Sequence, residues 1–89
     1  MTAEHLRLRP TALQWREVEG EIIALDGVNS RYLSANGSAA LLWHKLAAGT
    51  TRDQLVDCLV ETFAVDRDRA AADVESFLSE LEAEQLLEA

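Results

Sequence analysis

The sequence predicts an α+β domain, a three-stranded antiparallel sheet followed by three helices. Three observations predict it. Short runs of strand-favouring residues before residue 34 are separated by the turn pairs Glu19-Gly20 and Asp26-Gly27. Beyond them, apolar residues recur at helical spacing in three segments. Residues suited to capping a helix stand before those segments, and Gly49 is placed to end the first.

The strands come first. Residues 1–11, closed by Pro10 and Thr11, read as a flexible lead-in, and residues 12–89 as a single domain. Leu13, Trp15 and Glu17 alternate with Gln14, Arg16 and Val18, an imperfect period of two. Glu19-Gly20 suits a tight turn, and Glu21 to Leu25 reads as a second, more buried strand. Asp26-Gly27 is a strong hairpin signal, because both residues tolerate the positive φ of a type I′ turn. It leads into a third strand over Val28 to Leu33.

The first helix is expected over Ala35 to Ala47, capped by Ser34 or Asn36. Thr51 with Gln54 makes a capping box for the second, whose apolar positions are Leu55, Val56, Leu59, Val60 and Phe63. Asp66 caps the third and longest. Its stripe is Val74, Phe77, Leu78 and Leu81, while Glu75, Ser79 and Glu82 face water. In shape this order is winged helix-turn-helix-like.

Size and charge then exclude function classes. Eighty-nine residues make one small domain, which buries roughly 60–65% of its unfolded surface and has little room for an enclosed active site. A single cysteine, Cys58, cannot form an internal disulfide, and neither a signal peptide nor a membrane-spanning run is present. These features point to a soluble cytoplasmic protein. Of the formal net charge of −8, residues 66–89 carry −6. That acidic quarter disfavours both nucleic acid and anionic lipid, so neither nucleic acid nor membrane is an expected partner. A major-groove reading helix needs basic side chains, and here the third helix is acidic.

Chemistry-bearing patterns are scarce. His5 and His44 have no supporting ligands at metal spacing, and Cys58 on a helical face suits a small core residue. A Cys58–His44 nucleophile pair is the weaker reading. The four glycines are scattered, so no phosphate loop is present. No enzyme activity and no cofactor are expected.

A binding module remains. A hairpin-linked sheet places its first and third strands at the edges, where unpaired N–H and C=O groups can accept another strand. Val28 to Leu33 lacks the proline or lysine that would blunt such an edge. The rival interaction reading uses the acidic helix face, Glu80, Glu82 and Glu84, with no peptide groove.

Three stretches carry a resemblance. Leu33-Ser34-Ala35-Asn36-Gly37-Ser38-Ala39-Ala40-Leu41-Leu42-Trp43 resembles the L-N-x-T-[GA]-x-x-[IL]-W signature of PqqD-like proteins, the recognition elements for ribosomally synthesised precursor peptides. Gly49-Thr50-Thr51 followed by Leu55, Val56 and Leu59 is similar to the start of that family's second helix. Asp73-Val74, Phe77-Leu78, Leu81 and Leu86-Leu87 are similar to its ending. Ser34 and Asn36 depart from the family's Asn and Thr, which on this alignment makes Ser34 the cap. Gln85 stands where a glycine often precedes the last apolar pair.

The resemblance covers residues 12–87 and implies a non-catalytic, PqqD-like peptide-binding domain that captures the leader of a precursor peptide. The leader would be held as an added strand on the third strand, in a groove walled by the third helix. In lasso-peptide biosynthesis such a protein delivers the leader to a leader peptidase, with a cyclase in the same pathway. The alternative is presentation of a precursor to a radical enzyme in pyrroloquinoline-quinone or other peptide-derived biosynthesis. Carried over by position, the groove strand is Val28, Asn29, Ser30, Arg31, Tyr32 and Leu33. The helix wall is drawn from Ala70, Asp73, Val74, Phe77, Leu78 and Leu81, some of which must instead be plain core. Which face of the strand meets the leader stays open, and Asp73 with its acidic neighbours suits a basic leader segment.

Overall fold

The computed structural model describes residues 5–10 and 13–88. Its elements run β1 (Leu13–Val18), β2 (Glu21–Asp26), β3 (Arg31–Ala35), α1 (Gly37–Ala48), α2 (Arg52–Phe63) and α3 (Arg67–Ala83). The sheet is antiparallel in the order β1-β2-β3, so the α+β architecture expected from the sequence is the one observed. Its inner face, through Ile22 and Ala24, joins Leu42 and Leu46 of α1, Leu55 and Leu59 of α2, and Val74 and Leu78 of α3 in one core.

The left-handed turn expected at Asp26-Gly27 forms instead at Glu19-Gly20. Glu19 (φ 52°) and Gly20 (φ 81°) take the left-handed values, closing β1 and β2 at Val18–Glu21. Asp26 instead ends β2 opposite Arg31, and residues 27–30 form a longer loop with Ser30 left-handed (φ 53°). The cause is the Asp26 side chain, which is fully buried. Its Oδ1 accepts the N–H of Val28 (3.0 Å) and of Asn29 (3.3 Å), and its Oδ2 accepts the Asn29 amide (2.8 Å). An aspartate that bonds the backbone two and three residues on builds its own turn.

The start of α1 also differs. Asn36 is the cap, its carbonyl accepting from Ala39 and Ala40, but its side chain makes no capping bond. Ser34 is unavailable because it pairs with Ile23 inside β3. Gly49 (φ 94°) ends the helix as expected, and a Cβ there would lie 2.9 Å from the His5 ring. The Thr51–Gln54 capping box and the Asp66 cap are both formed.

The flexible lead-in is corrected over residues 6–9. Leu6 exchanges main-chain bonds with Thr50, Arg9 N–H donates to Leu86 C=O, and Leu8 is buried in the core. Residues 1–4 and Thr11 of that segment lie outside the described residues. The short apolar-basic alternation of Leu6 to Arg9 carries too few residues to register as a strand, yet each leucine finds a neighbour.

Past α3 the chain turns back through a Schellman motif. Gln85 N–H donates to Glu82 C=O (3.0 Å) and Leu86 N–H to Leu81 C=O (2.9 Å), with Gln85 left-handed at φ 62°. This turn brings Leu86 back against the body, where it is buried.

Candidate functional site

The register fixes which backbone groups of β3 are spare. A two-residue hairpin exchanges both main-chain bonds at its closing pair, here Val18–Glu21. Alternation then turns the N–H and C=O of Glu21, Ile23 and Leu25 toward β1, and those of Ile22, Ala24 and Asp26 toward β3. The partners of the second set are Ala35, Leu33 and Arg31. Tyr32 and Ser34 therefore aim their N–H and C=O at the open side.

Side chains alternate on the same strand. Arg31, Leu33 and Ala35 lie opposite the buried Asp26, Ala24 and Ile22, so they face the helices; Tyr32 and Ser34 face outward.

A groove of about 400 Å³ runs along this edge. Its strand side is Arg31 to Ala35, its far wall is Phe77, Glu80 and Leu81 of α3 with Glu84 at that helix's C-terminal cap, and Ala39, Trp43 and Leu86 complete it. Phe77, Glu80, Leu81 and Glu84 share one face because they are spaced by three, four and seven residues. Trp43 is buried and packs edge-to-face with Trp15 at 6.2 Å. The lining is mostly apolar with charge at one end, where Arg31 Nη1 meets Glu84 Oε2 at 2.5 Å.

That end is held by a polar knot. Arg9 Nη2 donates to Asp26 Oδ1 (2.6 Å) and Arg9 Nη1 to the Gln85 carbonyl (2.7 Å). The Asn29 side-chain amide, with Arg9 and the backbone N–H groups of Asn29 and Val28, holds the Asp26 carboxyl well below the usual carboxylate range, against the opposing push of burial. The N-terminal segment, the β2–β3 loop and the end of α3 are thereby fixed relative to one another.

Not every residue expected at the site reaches it. Val28, Asn29 and Ser30 lie in the loop rather than the strand, since Asp26 builds the turn there. Ala70, Val74 and Leu78 are core, because that edge of α3 turns into the helical body. Asp73 is exposed and lines a different hollow with Ser38, Leu59 and Phe63. Arg31, Tyr32, Leu33, Phe77 and Leu81 do line the groove. Sequence reasoning missed Ser34, Ala35, Ala39, Trp43, Glu80, Glu84 and Leu86; extending the helical period from Phe77 would have found Glu80 and Glu84.

Other candidate chemistry disperses. Cys58 is half-buried beside Leu41, Lys45 and Asp57, whereas His44 Nε2 lies 3.1 Å from Glu17 Oε1 with its ring against Trp15. Among the described residues, no cluster of three or more His, Cys, Asp or Glu side chains is arranged to hold a metal. No helix there is long and apolar enough to cross a membrane.

A family model described as Coenzyme PQQ synthesis protein D (PqqD) matches residues 21–87. Two solved structures share the fold. One is "TbiB1 in Complex with the TbiA(beta) Leader Peptide", at TM-score 0.86 and 23% identity over 93% of this chain and 95% of that one. The other is "Lasso peptide synthetase B1 complexed with the leader peptide", at TM-score 0.82 and 24% identity over 94% and 98%. No curated protein matches the chain.

Proposed function

From the premise that this chain belongs to the PqqD family, shown by the match over residues 21–87, we propose that it captures the leader segment of a ribosomally made precursor peptide. The leader adds as a strand to β3 and lies in the groove walled by α3. One observation carries this reading: the spare N–H and C=O groups of Tyr32 and Ser34 open beside a mainly apolar groove. Main-chain bonds supply affinity and the pockets beside them supply selectivity. The role is non-catalytic. On this reading the captured leader passes to a leader peptidase in lasso-peptide biosynthesis, in the cytoplasm. What supports the leader-binding part is that both structures of the same fold hold a leader peptide, one of them as a lasso peptide synthetase B1.

The description of the matching family favours a second reading, in which the bound precursor is presented to a radical enzyme of pyrroloquinoline-quinone assembly. The neighbouring genes separate the two: a short precursor beside a cyclase and a small peptidase supports the first.

The direct test titrates the synthetic leader of that neighbouring precursor, followed by tryptophan fluorescence, since Trp43 lies at the groove. Binding much tighter than about 100 µM, or about −5.5 kcal/mol, is expected. Absence of binding below that concentration would sink the proposal.

A further inference from the structure

The outer face of the sheet carries apolar surface that extends beyond the groove, with Tyr32 lining both. Tyr32 is 77% exposed and Leu25, directly opposite it, is 38% exposed. With Gln14 they form one cross-strand row, Gln14–Leu25–Tyr32, beside the row Arg16–Ile23–Ser34. A shallow hollow of about 370 Å³ lies along these rows. Both rows end at the β3 edge, at the two residues whose main-chain groups are spare.

We propose that a captured peptide is read on both faces of the extended sheet, and that Tyr32 sets the outer preference. The inference rests on strand addition to β3. Directly paired residues of neighbouring strands point to the same face, whichever way the added strand runs. The peptide residue directly opposite Tyr32 therefore projects outward and extends the row Gln14–Leu25–Tyr32. Its neighbour, opposite Leu33, projects inward against Phe77 and Leu81. The outward residue is apolar or aromatic, because Tyr32 and Leu25 offer it a partly exposed apolar neighbour and no charge in its own row. The next outward residue, opposite Ser34, meets a row that carries Arg16 and tolerates polar or acidic side chains.

Selection from a displayed library of random 12-residue peptides tests this, run against the wild-type domain and against Tyr32→Ser, Tyr32→Phe and Phe77→Ser. Wild type should enrich peptides with apolar preference in two adjacent phases of a period-two pattern. Phe77→Ser should release the inward phase. Tyr32→Ser should release the outward phase, and Tyr32→Phe should retain it. A synthesised enriched peptide should bind Tyr32→Ser about 3- to 5-fold more weakly than wild type. Thermal melting confirms that each variant is folded. Enrichment whose pattern is unchanged by Tyr32→Ser overturns the two-face inference and leaves peptide capture standing. Failure of the wild type to enrich any strand-like peptide overturns peptide capture itself.

Discussion

Arg9 and Asp26, 17 residues apart in the chain, meet at 2.6 Å, Asp26 lying directly opposite the groove residue Arg31 in the sheet. Asp26 is fully buried, and Arg9 is also bonded to the Gln85 carbonyl at 2.7 Å. Removing the cation leaves a buried carboxylate short of one partner, the costly direction of such a change. Arg9→Ala should lower the melting temperature by several degrees and weaken peptide binding, because the loop and the end of α3 lose their common anchor. Thermal melts and titration of the same variant check both effects. Unchanged melting would show that the knot is not structural.

The same carboxylate predicts a pH dependence. Its folded pKa lies below the ordinary 3.8, so the folded state binds its proton less readily than the unfolded chain. The resulting stabilisation is complete above the unfolded value, at about pH 5 and higher, and is lost as pH falls below it. Urea midpoints should show wild type ahead of Asp26→Asn at pH 7, with the gap closing toward pH 2–3. A gap independent of pH would mean that shape, not charge, accounts for the difference.

Proline scanning of β3 follows from the alternation of its main-chain bonds. Tyr32→Pro removes an N–H that faces the groove, so peptide affinity should fall by about 10-fold while the domain stays folded. Leu33→Pro removes an N–H used in the β2 ladder and should unfold or strongly destabilise the domain. Circular dichroism with titration distinguishes the pair. Full affinity in Tyr32→Pro would exclude addition at this strand.

Gln85 occupies the left-handed position of the Schellman turn, at φ 62°. Glycine takes that conformation without the Cβ clash, partly offset by the greater freedom of its unfolded chain. Gln85→Gly should therefore stabilise the domain by about 0.5–1 kcal/mol, raising the melting temperature by a few degrees. A melting temperature at or below wild type would show that the Gln85 side chain matters in itself.

Periodicity made much of this architecture readable. The Thr51–Gln54 box and the Asp66 cap stood in the sequence as they stand in the fold, because capping is local chemistry. The β2–β3 loop differs from the Asp-Gly hairpin expected because the Asp26 carboxylate bonds the N–H groups of Val28 and Asn29, while its burial beside the distant Arg9 is not visible in the local sequence. The alternation of Leu6 and Leu8 with Arg7 and Arg9 is too short to read as a strand, although both leucines pair with chain segments far away. At the site, the apolar stripe of α3 was legible, but its division into core and groove depends on how the helix is rotated against α2 and the sheet. A single helical stripe wider than one contact cannot show which edge is covered.

That division yields a paired test on α3. Phe77 is half-buried and lines the groove, whereas Asp73, one turn earlier, is exposed and lines another hollow. Phe77→Ser should cut peptide affinity by about 10-fold or more through lost apolar burial, with a smaller cost in stability than truncation of the fully buried Leu78. Asp73→Asn should leave affinity within about 2-fold, as expected for an exposed charge off the binding surface. Titration of both variants with one leader peptide decides the matter. A large loss in Asp73→Asn with none in Phe77→Ser would move the site one turn toward the start of α3 and away from the β3 edge.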